Sequence, residues 1–410
     1  MGSDTIVIVG AGHGGVQLAA SLREEGYGEK LVLLGDEKDL PYQRPPLSKA
    51  YLKRATPEDG VLLRGPDFYP QNKIDLLLGE RATEIDRAAQ RLHLKSGQVL
   101  DYSKLILATG GVQRRLPIEG AHIDGVFSLR TMEEARALRD KLETSQNIIV
   151  IGAGFIGLEF AATAASQGRK VDLFELADRP MARAVTPQTS AFFAEAHKAF
   201  GVNLHFRQSI SAIKGDGGKV ASVVLDDGTI MPADMVLIGI GLVPSDELAR
   251  AAGLDAPNGI KVDERLMTSD ANIFAIGDTV YHYNTHRGAE MRLESVQNAT
   301  DQARTLAKLL VGKPANYDHV PWFWSDQGDL KLQIAGFLDE SDKIILRGSY
   351  EQRAYSLFGF KNGALTGVES VNKAGDHMLA RRLLGEHIPV TPEFIADPAS
   401  DLKSLVRGRR

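Results

Sequence analysis

Two short glycine-rich stretches carry the residue types and spacing that could do chemistry. The first is Gly10-Ala-Gly12-His-Gly14-Gly15, closing the apolar run Ile6–Val9. The second is Gly152-Ala-Gly154-Phe-Ile156-Gly157, closing a similar run that begins at Ile148. In a GxGxxG turn the first glycine permits the tight bend and the second lets the backbone approach a pyrophosphate. The third lets the following helix pack close to the sheet, and that helix points positive partial charge at the phosphates. An acid ends the next apolar run in both copies: Asp36 or Glu37 after LVLLG, and Glu175 after KVDLF. Such a carboxylate accepts hydrogen bonds from ribose hydroxyls and repels a 2′-phosphate. Glu175 therefore points to NADH over NADPH, with Arg179 and Arg183 the nearest basic residues.

The elements that must position these turns follow from periodicity. Each copy reads strand, glycine turn, helix, strand, which is a βαβ unit. Between the copies lie the proline-rich PYQRPPLSK, alternating runs such as RLHLKSG, and KLILATGG, a strand leading into a glycine turn. DMVLIGIGLVP follows the second copy, then NIFAIGD and a helix near Gln297–Leu310. From about Pro314 short runs such as WFWSDQ, KLQIAGF and ALTGVESV alternate with turn residues, which predicts an antiparallel sheet, followed by the helical DHMLARRLLG. The fold class is α/β: two Rossmann-like dinucleotide-binding domains, plus a C-terminal α+β domain with an antiparallel sheet. HYNTH, with His282 and His286, reads as loop, and the histidines show no metal-ligand spacing, so no metal site is expected.

Composition excludes several function classes. The 410 residues contain no cysteine, which removes disulfide, thiolate-metal and thiol-redox chemistry. Any redox work falls to bound cofactors, and two dinucleotide sites suit a tightly held flavin paired with a transient nicotinamide. The net charge of −5 is small for the length and argues against a nucleic-acid partner. No apolar run approaches the roughly 18 residues of a membrane helix, and the N-terminus enters TIVIVG without a basic leader. A soluble, cytoplasmic protein is expected, as a monomer or weak homodimer.

With both turns, ATGG, GIGLVP and AIGD in this order, the chain resembles the two-dinucleotide-domain (glutathione-reductase-like) flavoprotein reductases. PYQRPPLSKAYL, ESVQNATDQA and PWFWSDQ narrow this to the NADH-dependent ferredoxin reductases that serve bacterial haem-thiolate monooxygenases, the putidaredoxin reductase group. The resemblance implies a split FAD domain (1–114 and 242–316), an NADH domain (115–241), a C-terminal interface domain (317–404) and a short basic tail (405–410). It implies that the first turn, with Gly12 and Gly14, approaches the FAD pyrophosphate and that Asp36 binds the ribose. Arg44 and Lys49 would serve the flavin, Ala82 the adenine, and Arg130 the phosphates. Asp278 would bind the ribityl or pyrophosphate region and Val296 would present its N–H to the flavin. Gly154, Ile156 and Glu175 would hold NADH, with Gly241 on its far side.

Lys49 follows a rigid Pro-Pro element, where a cation would favour the negative charge of reduced flavin. Glu159, just inside the second glycine-turn helix, is its expected partner across a domain boundary. Hydride passes from NADH without a side-chain acid or base, so orientation does the work. The acceptor is expected to be a 2Fe–2S ferredoxin, whose cluster belongs to the partner because this chain has no cysteine ligands. Trp322 and Trp324 stand two apart and share a face on a strand. Trp324, with Arg304 and Arg64 as basic contacts, is expected at the ferredoxin surface. Two alternatives remain: another acceptor (rubredoxin, monodehydroascorbate or oxygen), or an NADH-responsive flavoprotein resembling apoptosis-inducing factor that binds rather than turns over.

Overall fold

The computed structural model describes residues 4–407. The chain divides into two compact units, one formed by residues up to Gln43, Pro57–Val112 and Val243–Pro321, the other by Arg44–Thr56, Gln113–Leu242 and the chain from Trp322 onward.

In the first unit Ile6–Val9 is the central strand of a five-stranded parallel sheet. Its order is Ile273–Ala275, Lys104–Leu107, Ile6–Val9, Leu31–Gly35, Ile74–Leu78. These strands are apolar almost throughout because a parallel sheet is covered on both faces, and Ile6 to Val9 are all buried. Two helices, His13–Glu24 and Val296–Leu310, pack on each other here. A small antiparallel sheet of Ala82–Asp86, Arg91–Leu94 and Val99–Asp101 accounts for the alternating RLHLKSG region.

The second unit repeats the plan. Asn147–Ile151 is central in a parallel sheet ordered Val202–Phe206, Lys170–Glu175, Asn147–Ile151, Met235–Ile238, Val126–Phe127. The same unit contains the C-terminal antiparallel sheet, ordered Trp322–Gln327, Leu330–Gly336, Ala364–Val371, Ala354–Lys361, Lys343–Ser349. The helix Ala374–Gly385 covers it.

The structure differs from the sequence expectations at three places. Arg44–Thr56 clusters with the second unit rather than with the remainder of 1–114, because the 3-10 turn Pro45–Ser48 packs on the helices Met132–Thr144 and Phe155–Ser166. HYNTH is only partly a loop: His282–Asn284 end the strand Val280–Asn284, which pairs antiparallel with Ala289–Arg292 and, at Val280 and Tyr281, parallel with Ile260–Lys261, while Thr285 and His286 lie in the turn that follows. The expected tail begins inside a 3-10 helix, Leu402–Val406, anchored by buried Leu402; positions 408–410 of it lie outside the described residues. Among the described residues no helix is long and apolar enough to cross a membrane, and no cluster of potential metal ligands occurs.

Candidate active site

The two glycine turns separate what the fold requires from what it leaves open. Gly10 has φ +113°, and a Cβ there would lie 2.2 Å from the Ala108 carbonyl oxygen; at Gly15 it would lie 1.9 Å from the Gly10 carbonyl oxygen. Gly152 and Gly157 repeat the pattern, with 2.5 Å to Gly239 O and 2.1 Å to Gly152 O. These four positions demand glycine for the backbone's own sake. The middle glycines do not. Gly12 has φ −84° and nothing within 4 Å of a Cβ, and Gly154 has φ −77° with its nearest atom at 3.9 Å. Each is the N-cap of its helix and makes no side-chain cap. The open cradle beside uncapped N–H groups fits a pyrophosphate at both turns.

Around the first turn the structure gathers several expected residues. Gly14 is buried with its hydrogen face toward Ile276 and Ala299, at 3.5 and 3.6 Å for a Cβ, so it serves helix packing. This brings the segment before Asp278 and the start of the Val296–Leu310 helix to the turn. Val296 is the first residue of that helix, whose cap is the Ser295 hydroxyl accepting from the Asn298 N–H. Asp36 is exposed just past its strand, whereas the Glu37 carboxylate accepts the Tyr42 hydroxyl. The N–H groups of Gly79 and Glu80 donate to the Glu37 and Gly35 carbonyls, two residues before Ala82 opens its strand. Arg304 lies two turns along the helix from Val296, exposed and 3.0 Å from Asp301. Arg64 is placed over the Phe68 ring at 5.4 Å, with its guanidinium on the Leu63 carbonyl.

The second turn is equally organised. Glu175 accepts the Ala153 N–H at 2.8 Å and the Ala177 N–H at 2.9 Å, which fixes its carboxylate at the turn. Arg179 is diverted from it, donating to the Val185 and Ala182 carbonyls at 2.9 and 2.7 Å. Arg183 is exposed beside Gly241, a positive-φ glycine whose carbonyl accepts the Arg114 N–H. Ile156, in the first turn of the helix, is an exposed large apolar side chain. Arg44 donates to the Arg130 carbonyl. Arg130 in turn sits in a capping box, where the Glu134 carboxylate accepts the Arg130, Thr131 and Gln113 N–H groups and the Ser128 hydroxyl at 2.7 to 2.9 Å. Burial pushes the Glu134 carboxyl up, but these donors outweigh it and hold the group below its ordinary value.

Lys49 and Glu159 meet: Lys49 Nζ lies 3.0 Å from Glu159 Oε1, and both belong to one compact unit. Glu159 is 6% exposed. The Ser48 hydroxyl donates to its Oε2 and the Ser325 hydroxyl to its Oε1, each at 2.6 Å, while Asp326 approaches Lys49 at 3.5 Å. Burial pushes the Glu159 carboxyl up, and Lys49 and the two hydroxyls pull it only part of the way back, so it stays above its ordinary value. Ser48, Ser325 and Asp326 were not singled out from sequence, although they lie inside PPLSK and WFWSDQ. Trp322 and Trp324 share a face of their strand, with ring centroids 5.7 Å apart, and the Arg381 guanidinium covers Trp322 at 4.2 Å. His282 is buried, and burial pushes it down to about 4.

Residues 4–303 match the pyridine nucleotide-disulphide oxidoreductase family, and residues 322–406 match the reductase C-terminal family. The chain belongs to the pyridine nucleotide-disulphide oxidoreductase family. Lacking cysteine, this oxidoreductase carries no redox disulfide of its own. It is 45% identical to rhodocoxin reductase of Rhodococcus erythropolis over 98% of this chain and 94% of that one. Its fold superposes with a TM-score of 0.95 on the ferredoxin reductase for the CYP199A2 system from Rhodopseudomonas palustris, 47% identical over 98% of this chain and 99% of that one. The TM-score is also 0.95 against the reductase in a covalent putidaredoxin reductase–putidaredoxin complex, at 38% identity over 98% of each chain.

Proposed function

We propose that this oxidoreductase takes electrons from NADH through FAD to a 2Fe–2S ferredoxin that serves a P450-type monooxygenase in the cytoplasm. The observation that carries the proposal is the pair of open cradles at Gly12 and Gly154, each flanked by glycines the backbone requires. The relatives support the acceptor, since two of the similar solved structures are named for P450-system or putidaredoxin partners. The overall change is NADH plus two oxidised ferredoxins to NAD⁺, two reduced ferredoxins and one proton.

In this proposal the first turn, Asp36, Ala82, Asp278 and Val296 hold FAD, with Arg44 serving the flavin and Arg130 the phosphates. Bound FAD supplies the exchange between a two-electron donor and one-electron acceptors. The second turn, Ile156, Glu175 and Gly241 hold NADH. Glu175 is prepositioned by two backbone N–H groups, so little reorganisation is needed when ribose hydroxyls arrive. The Arg179 donors are engaged by loop carbonyls, so they are not free to bond a 2′-phosphate beside Glu175. Lys49 holds a fixed positive charge, and Glu159 keeps that charge in place. Trp324, Arg304 and Arg64 are the proposed ferredoxin contacts.

The test is anaerobic: purified protein with FAD, NADH and a panel of 2Fe–2S ferredoxins, with NADPH and rubredoxin as controls. Reduction of two ferredoxins per NADH supports the proposal. Reduction of bound flavin without onward transfer to any ferredoxin would favour a nucleotide-responsive binding protein instead.

A further inference from the structure

Behind Glu159 runs a chain of buried polar groups that the functional reading does not use. Ser325 Oγ lies 2.6 Å from Glu159 Oε1; Gln327 Nε2 lies 3.1 Å from Ser325 Oγ; His197 Nε2 lies 2.8 Å from Gln327 Oε1. Ser325, Gln327 and His197 are all fully buried. Ser325 and Gln327 sit on one strand, two residues apart, and His197 sits on the helix Pro187–Ala199.

The direction of the chain follows from its end. An ionised carboxylate only accepts, so the single Ser325 proton points to Glu159. Ser325 Oγ must then accept from the Gln327 amide nitrogen, which turns the amide oxygen toward His197. That oxygen cannot donate, so His197 donates from Nε2. Burial pushes the imidazole down to about 4, leaving one ring proton, and Nδ1 has no hydrogen-bond partner among the described residues. Packing locks the far end: the His197 ring meets Phe200 edge-on at 5.5 Å, and Phe200 closes over Gly328 so tightly that a Cβ there would be 2.6 Å away. Gln327 Nε2 also touches Met181 Sδ at 3.5 Å, and the Met181 N–H donates to Ala153 in the second glycine turn.

We propose that Gln327 and His197 are positioning residues for the Lys49–Glu159 pair, acting through Ser325 as a one-way chain of donors that keeps the Glu159 carboxylate charged and fixed. Each link places a positive dipole end toward the carboxylate, and in a buried site such dipoles reinforce one another. The charged groups facing Glu159 are Lys49 and, beyond it, Asp326; the carboxylate in the sheet beneath, Asp172, is paired with His205 at 2.9 Å. The link to catalysis rests on the proposed function, whereas the charge state of Glu159 does not.

The experiment is an infrared pH titration of the Glu159 carboxylic band, identified by its loss in Glu159→Gln, alongside the pH dependence of flavin bleaching by NADH. Gln327→Met and His197→Leu remove a neutral donor that acts through Ser325, and should raise the Glu159 midpoint by a few tenths of a pH unit, the share of a hydrogen bond that polarisation along a chain adds. The acid limb of the bleaching rate should rise with it. His197→Gln, which can donate from the same place, should return the midpoint toward the parent value. If Gln327→Met fails to fold, Ser325→Ala removes the last donor and should raise the midpoint by about one to two units. An infrared midpoint unmoved by these variants, or His197→Gln behaving as His197→Leu, would overturn the proposal. Wild-type protein that NADH cannot bleach would instead count against the proposed function, with the infrared outcome still decisive for the chain of donors.

Discussion

Lys49 Nζ lies 3.0 Å from Glu159 Oε1, joining two segments more than a hundred residues apart around a carboxylate that solvent barely reaches. Removing one partner of such a pair leaves a buried, uncompensated charge, which costs about 3–5 kcal/mol unless the group neutralises. Lys49→Met should therefore slow flavin reduction by NADH at least about tenfold, equivalent to 1.4 kcal/mol, while FAD stays bound. It should also cost stability, and the double variant with Glu159→Gln should recover much of that loss. Stopped-flow bleaching and chemical denaturation check both parts; bleaching at the parent rate would remove Lys49 from the catalytic role.

The glycine turns make a sharper distinction. Gly12→Ala and Gly154→Ala should fold with parent-like thermal stability in the cofactor-free state, because a Cβ meets no protein atom closer than 3.9 Å at either position. Gly12→Ala should lose FAD affinity, and Gly154→Ala should keep FAD but weaken NADH. Gly15→Ala and Gly157→Ala, with contacts of 1.9 and 2.1 Å to carbonyl oxygens, should instead impair folding itself. Apo-protein melting and FAD and NADH titrations separate the two classes.

Nucleotide choice should depend on Glu175 more than on the nearby cations. Glu175→Ala should lower kcat/KM for NADH by about 10- to 100-fold, the loss expected for hydrogen bonds to a charged group. It should not create an NADPH enzyme, because the Arg179 donors are already committed to Val185 and Ala182. Steady-state kinetics with both nucleotides checks this, and efficient NADPH turnover by the single variant would contradict it.

Glu134 gives a pH dependence with a definite sign. Its folded carboxyl is held below the ordinary value by four donors. The unfolded chain therefore binds the proton more readily, and the stabilisation is present above the ordinary carboxylate range. It is lost as pH falls through the depressed folded value. Glu134→Gln should be less stable at neutral pH and should flatten the acid slope of stability. It should also weaken FAD retention by loosening Arg130.

Both parallel sheets and both turns were legible because unbroken apolar runs ending in GxGxxG have few other uses. The resemblance set Lys49 at the flavin and so offered Glu159, just inside the second helix, as its partner; the domain boundary expected between them is not there, since both lie in one unit. The Ser325–Gln327–His197 chain was hidden: Ser325 and Gln327 occupy the buried face of their strand, where alternation leads one to expect apolar residues. Their partners come from segments well over a hundred residues away, which no local pattern reveals. HYNTH misled in part because Asn and His resemble loop punctuation: pairing with Ala289–Arg292 makes His282–Asn284 strand, and only Thr285 and His286 lie in a turn.

The most direct measurement follows the flavin spectrum under anaerobic conditions. Protein reconstituted with FAD should be yellow, bleach on one equivalent of NADH, and recover on two equivalents of oxidised 2Fe–2S ferredoxin. Protein that takes up no FAD, or that bleaches and then leaves every ferredoxin oxidised, would contradict the assignment.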